Sequence, residues 1–193
     1  MLTVVVATGN PGKLKEMQAY LGDLDWALQI KPDDLDIDET GTTFLENARL
    51  KASEVAKALG QWAIADDSGL EVDALDGAPG LYSARYADSD QARIERVLRE
   101  LEGKANRRAQ FVCAIALARP DGTIALETLG ICRGEMLTDP RGDGGFGYDP
   151  IFYVPDLGRS FAELSPTEKE AHSHRGVAFR QLMPALKTLN REI

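Results

Sequence analysis

Leu2-Thr3-Val4-Val5-Val6-Ala7-Thr8-Gly9-Asn10-Pro11-Gly12-Lys13-Leu14 decides the fold class. Leu2 to Val6 is a continuous apolar, β-branched run, the pattern of a strand covered on both faces. A phosphate-sized turn follows, then a helix start. Asn10 supplies the N-cap and Pro11 the first helical residue, and Leu14, Met17 and Leu21 recur on one face until Gly22 ends the helix. Strand, tight turn and helix in that order form an α/β unit. The helix start is suited to an anion, because its unpaired amides and dipole favour negative charge. It is not a Walker loop: Gly9 and Gly12 stand too close together, and Leu14 takes the place of the metal-binding hydroxyl. An ordinary helix start reads the same way.

Working outward, Trp26 to Ile30 predicts a second strand and residues 32–41 an acidic loop. Thr43-x-x-Glu46 is a capping box, opening a helix whose core face carries Leu45, Ala48, Ala52, Val55, Ala56 and Leu59, with Gly60 just past its end. Asn47, Lys51 and Glu54 share the other side. Trp62 to Ala65 predicts a short strand that enters a turn at Asp66-Asp67-Ser68-Gly69, and Leu70 to Ala74 alternates like a half-exposed strand, so a hairpin is expected. Ser89 to Leu101 predicts a helix built on Ile94, Val97, Leu98 and Leu101. Phe111 to Ala118 and Ile124 to Cys132 predict strands meeting at the turn Pro120-Asp121-Gly122-Thr123. Gly142 to Pro150 sets four glycines around Phe146 and Tyr148, a composition suited to close approach of backbone to a ligand. Ser165-Pro166-x-Glu168 caps the last helical region, which is expected to run on with a kink at Pro184. These readings predict an α/β fold with a twisted central mixed β-sheet flanked by helices.

The 193 residues fit a single unit, residues 1–193, with room for two lobes and no visible linker. The net charge of −9 argues against a protein that grips nucleic acid through its phosphates, which needs a clustered excess of Lys and Arg. No apolar run approaches bilayer length, and the start lacks a basic segment followed by a signal-like apolar one, so no membrane partner and a cytoplasmic location are expected. Cys113 and Cys132 read as reduced core thiols, and His172 and His174 do not match zinc spacing.

The chemistry starts from Asp66 and Asp67. Adjacent carboxylates invite a divalent cation, and Mg²⁺ takes one or two carboxylates together with substrate phosphates. The competing reading is a turn that only punctuates a hairpin. Lys51 likewise reads either as a phosphate-directed charge or as a solvated lysine on a helix face.

Five segments together carry a resemblance: Thr8-Gly9-Asn10-x-Gly12-Lys13; Glu39-Thr40-Gly41 leading to Glu46-Asn47-Ala48 and Lys51; Ala65-Asp66-Asp67-Ser68-Gly69; Gly145-Phe146-Gly147-Tyr148-Asp149-Pro150; and Ser173-His174-Arg175-Gly176. Over nearly the whole chain, the sequence resembles the inosine/xanthosine triphosphate pyrophosphatases. The resemblance implies an elongated two-lobed molecule with an active cleft between lobes, usually a homodimer. It also implies Mg-dependent hydrolysis of ITP, dITP and XTP to monophosphate and pyrophosphate, with one Mg²⁺ per subunit.

It implies residue roles as well. Asp67 would be proton acceptor and, with Glu39, metal ligand, two roles in tension because coordination lowers a carboxylate's basicity. Asp66 would support the metal through water. Lys13, Lys51 and Lys169 would stabilise phosphate charge, and amides of the loop Thr8, Gly9, Asn10, Pro11, Gly12 and Lys13 would fix the phosphates, with Ser68 beside them. Arg175 or His174 would donate to the 6-oxo group that adenine lacks, a contact able to discriminate by about 10⁴ to 10⁵. Phe146 would stack on the base, Gly147 and Tyr148 would shape its loop, and Asp149 would accept from a ring N–H or order that loop. Two other readings stay open, a Maf-like pyrophosphatase with another base preference and a non-catalytic nucleotide sensor; an RNA-binding module using Phe146 and Tyr148 conflicts with the acidic balance.

Overall fold

A computed structural model describes residues 2–192 of the chain; Met1 and Ile193 lie outside the described residues. The sequence folds as β1 (Leu2–Val6), α1 (Pro11–Leu21), β2 (Trp26–Ile30), α2 (Phe44–Leu59), β3 (Trp62–Val72), α3 (Asp90–Glu100), β4 (Arg108–Ala118), β5 (Ile124–Met136), β6 (Phe152–Val154), β7 (Arg159–Ser160), α4 (Pro166–His172) and α5 (His174–Glu192). The strands form one seven-stranded sheet in the order β2-β1-β3-β4-β5-β6-β7. It is mixed: β1 pairs parallel with β2 and β3, whereas β6 pairs antiparallel with β5 and β7. The α/β class with a mixed central sheet is therefore observed. Among the described residues no helix is long and apolar enough to cross a membrane.

The chain divides into two compact units. Unit 1 comprises Met1–Asp67, Cys113–Gly130 and Arg175–Ile193. Its core gathers Val4 and Val6 of β1, Met17 and Leu21 of α1, Ile64 of β3, Ile115 of β4, and Phe179 and Leu186 of α5. Phe179 stacks on Tyr20 with ring centroids 4.6 Å apart. Asn10 caps α1 as its spacing predicts, accepting from the amides of Gly12 and Lys13. Arg119 and Thr123 close the tight turn between β4 and β5, with Gly122 at φ +84° where a side chain would be strained. Unit 2 comprises Ser68–Val112 and Ile131–His174. Leu70, Val97, Leu101, Phe111, Phe152 and Phe161 are among its core residues. Cys113 and Cys132 are buried free thiols, and burial pushes them up to about 12 and about 11, so they are inert at neutral pH.

Four local expectations are corrected. There is no hairpin at Asp66-Asp67: β3 runs unbroken for 11 residues, with both carboxylates inside it. Turn-forming composition loses there because cations meet each carboxylate, and a paired charge can be buried in a strand. Asn47 shares the side of α2 that carries Lys51, as expected, but is buried there, while Leu45 of the expected core face is only half-buried. Glu46 closes the helix start one residue earlier than a capping box requires, accepting from the amide and hydroxyl of Thr42 while the Thr43 hydroxyl accepts from the Glu46 amide. The last helical region breaks at Ser173, which is extended (φ −72°, ψ 160°) and donates its amide to the Lys169 carbonyl. Beyond it, α5 continues through Pro184 as one element.

Candidate active site

Two clusters of functional side chains emerge, one in each unit. In unit 1 the organising element is β3. Successive strand residues point to opposite faces, so the neighbours Asp66 and Asp67 address different partners. Asp66 is buried, at 3.2 Å from the Lys13 ammonium of α1 and 2.9 Å from the Arg175 guanidinium at the start of α5. Arg175, itself buried, also donates to Glu16 of α1. Burial alone would raise the Asp66 carboxyl; Lys13, Arg175 and Lys51 outweigh it and hold the group well below the usual carboxylate range. Asp66 is therefore an ionised structural anchor for two cations.

Asp67 faces α2. Its Oδ1 accepts from the Lys51 ammonium at 3.1 Å and its Oδ2 from the Asn47 amide at 3.3 Å, so both oxygens are oriented. Lys51 also donates to Glu39 at 2.7 Å. Asn47 and Lys51 reach the same carboxylate because residues four apart on a helix stack one above the other. The acidic loop approaches through Gly41, whose amide donates to Asn47 Oδ1 at 2.8 Å; a Cβ on Gly41 would lie 2.6 Å from that oxygen. Burial raises the Asp67 carboxyl above its ordinary value, with Lys51 and Lys13 limiting the rise and Glu39 adding to it. Burial would lower the Lys51 ammonium, but Asp67, Asp66 and Glu39 outweigh it and keep the group charged.

Two carboxylates sharing one ammonium leave a surplus of hard oxygen donors. Among the described residues no group of three or more His, Cys, Asp or Glu side chains is arranged to hold a metal. Glu39 and Asp67 nevertheless suit Mg²⁺, which fills the rest of its shell from phosphate and water oxygens. The amides of the Thr8 to Lys13 loop are another matter. Thr8 Oγ1 takes the Asn10 amide, and Asn10 Oδ1 takes those of Gly12 and Lys13. Pro11 has no amide hydrogen, so most of the loop's donors serve its own turn and Lys13 carries its positive charge.

In unit 2 the loop Gly145 to Asp149 is the organising element. Asp149 is buried; its Oδ2 accepts from the Phe146 amide at 2.9 Å and from the Lys169 ammonium at 2.7 Å. That ammonium also lies 4.5 Å from the centroid of the Phe146 ring. Gly145 has φ +74°, and a Cβ there would fall 2.0 Å from Asp149 Oδ2, so the loop can close on its carboxylate only with glycine. Tyr148 is buried and donates its hydroxyl to the Ser83 carbonyl at 2.7 Å. Burial keeps that phenol protonated far above neutrality. His174 is buried and stacks on Phe111 with centroids 4.7 Å apart. Phe146 and Gly147 are half-buried, as is Ser68.

The structure thus gathers Lys13, Glu39, Lys51, Asp66 and Asp67 with Arg175 in unit 1, and Phe146, Asp149 and Lys169 in unit 2. Arg175 is engaged with Asp66 and Glu16, and Lys169 with Asp149, so the first meets carboxylates of unit 1 and the second meets the aromatic loop. Sequence reasoning missed the part played by Asn47, although its spacing of four from Lys51 signals it.

The comparisons agree along almost the whole chain. Residues 4–185 match the model of the Ham1 family. A protein of Nostoc sp. named dITP/XTP pyrophosphatase is 61% identical over 186 residues, covering 96% of this chain and 95% of that one. A Synechocystis sp. protein of the same name is 60% identical, covering 97% and 98%. Among solved structures, a HAM1 protein from Coxiella burnetii superposes with a TM-score of 0.89 at 47% identity, covering 97% of this chain and all of that one. With the family model matched from residue 4 to residue 185 and these relatives covered almost end to end, the chain belongs to the Ham1 family.

Proposed function

We propose that this protein hydrolyses non-standard purine nucleoside triphosphates, ITP, dITP and XTP, to the monophosphate and pyrophosphate, and so removes them from the nucleotide pool. The single observation that carries the reading is Lys51 held between Glu39 at 2.7 Å and Asp67 at 3.1 Å. That set joins a phosphate-directed cation, a proton acceptor and two hard oxygen ligands. Relatives named dITP/XTP pyrophosphatase at 55–61% identity support the substrate class.

In this reading Lys51 and Lys13 offset the negative charge of the triphosphate, which otherwise repels any nucleophile. Asp67 accepts the proton of the attacking water, and Asn47 fixes its orientation. Water adds to the α-phosphorus, the bond from that phosphorus to the bridging oxygen breaks, and pyrophosphate leaves with the electron pair. Bound by Glu39 and Asp67, Mg²⁺ would neutralise phosphate oxygens and align them for in-line displacement. Asp66 and Arg175 position Lys13 and the strand. For the base, Phe146 would offer a stacking surface, His174 a ring nitrogen to the 6-oxo group, and Asp149 with Lys169 a fixed loop. Resemblance to the family also supports a homodimer with one Mg²⁺ per subunit, working in the cytoplasm.

The test is pyrophosphate release over a panel of common and deaminated nucleotides with Mg²⁺ present. Pyrophosphate from ITP, dITP and XTP well above that from ATP and GTP is expected. Orthophosphate as product, or preference for a pyrimidine triphosphate, overturns the proposal; binding without turnover leaves only a sensor.

A further inference from the structure

Among the described residues, the side chains of Asp149, Tyr148 and Asp90 tether the loop that carries Phe146, and only Asp90 lies outside the loop. Asp149 and Tyr148 belong to the loop itself and are buried, with Asp149 also engaged by Lys169. The third tether is Asp90, the first residue of α3, whose Oδ2 accepts from the Gly147 amide at 2.8 Å across 57 positions of sequence. We infer that Asp90 is a positioning residue that sets Phe146 for the base, an inference that rests on the stacking role proposed above.

Four observations support it. The Asp90 side chain is half exposed, so it is not retained for core packing. Its other oxygen accepts from Arg93 at 2.6 Å, and Arg93 also donates to the Ala87 carbonyl at 3.1 Å, so the carboxylate is braced. A negative charge in the first turn of a helix is favoured by the helix dipole, and a bond from an amide to a carboxylate is charge-assisted. Finally, Gly147 has φ +62°, a conformation in which its amide is aimed by the turn and depends on an acceptor to stay fixed. A carboxylate on a helix end is a stiffer acceptor than water, and the loop residue it fixes is the immediate neighbour of Phe146.

The base lies away from the bond that breaks, so loosening its loop removes binding from ground and transition state alike. Asp90→Ala is therefore expected to raise KM for ITP roughly tenfold, the effect of losing one charge-assisted hydrogen bond, while kcat stays within about twofold. Asp90→Asn keeps an acceptor for Gly147 and recovers most of the KM. Ser89→Ala separates the tether from helix stability, because Ser89 caps α3 through the Ala92 amide without touching the loop. It should lower thermal stability and leave KM unchanged. Competitive inhibition by inorganic tripolyphosphate, which has no base, should be the same in Asp90→Ala and wild type. If wild-type enzyme turns over ITP but Asp90→Ala keeps its KM, or if Ser89→Ala raises KM equally, the positioning role is overturned. If wild-type enzyme releases no pyrophosphate from ITP, the underlying functional reading fails instead.

Discussion

The carboxylate site of unit 1 and the glycine loop of unit 2 are built on opposite plans. In unit 1 the functional groups other than Glu39, which is on the acidic loop, stand on regular elements: Asp66 and Asp67 on β3, Lys13 on α1, Asn47 and Lys51 on α2, Arg175 on α5. Charges there are fixed by one another across the fold, at 2.7–3.2 Å. In unit 2 the Phe146 ring rides on a loop with two left-handed glycines, and hydrogen bonds that involve Asp149, Asp90 and Tyr148 replace the rigidity that a helix or strand would give. Under the proposed function, the difference teaches that the chemistry which tolerates least displacement would be mounted mainly on the scaffold, and selection of the base on a loop fixed by hydrogen bonds.

The contrast can be broken most severely at Asp67. Asp67→Asn keeps the shape but removes the proton acceptor and turns one accepting oxygen into a donor, and kcat should fall by roughly 10³-fold, within the range for a lost general base. Retained activity in a steady-state pyrophosphate assay would remove Asp67 from that role. Arg175→Met probes the scaffold rather than the chemistry. It leaves a buried carboxylate short of a partner, so urea denaturation should show a loss of roughly 3–5 kcal/mol. A loss under about 1 kcal/mol would mean that Lys13 alone suffices for Asp66.

In unit 2, Phe146→Ala should raise KM for ITP by about 10- to 100-fold, the range for one base on an aromatic platform, without lowering thermal stability to match. Equal changes in KM and melting temperature would return Phe146 to a packing role. The smallest effect is on pH. The Asp66 carboxyl is depressed in the folded state, so its stabilising contribution is complete above the ordinary aspartate value of about 4 and is lost as pH falls below it. Stability of the wild type should therefore drop in that window, and Asp66→Asn should flatten the drop.

How much of this the sequence discloses depends on the range of the forces involved. β1, the Asn10 cap, α1 and the turn at residues 119–123 are legible because each is specified by neighbours a few positions away. β3 is not. Asp66-Asp67-Ser68-Gly69 has turn composition, and the groups that override it, Lys13, Arg175 and Lys51, lie 16 to 109 positions off. The same holds for the break at Ser173: Ser165-Pro166-x-Glu168 announces a helix start, but nothing local announces that His174 must join the aromatic core of unit 2 while Arg175 joins Asp66. Asn47 was half legible, since its spacing from Lys51 is local while its burial is not. Asp90 has no local signature, because its partner is a backbone amide.

One consequence of β3 reaches beyond single substitutions. Because Asp66 and Asp67 address opposite sides of the same strand, adding or deleting one residue between Trp62 and Ala65 would reverse the orientation of everything downstream. The carboxylate meant for Lys51 would turn toward Lys13 and Arg175, and the anchor would turn toward α2. This segment therefore cannot change in length by one residue without exchanging the partners of the two carboxylates.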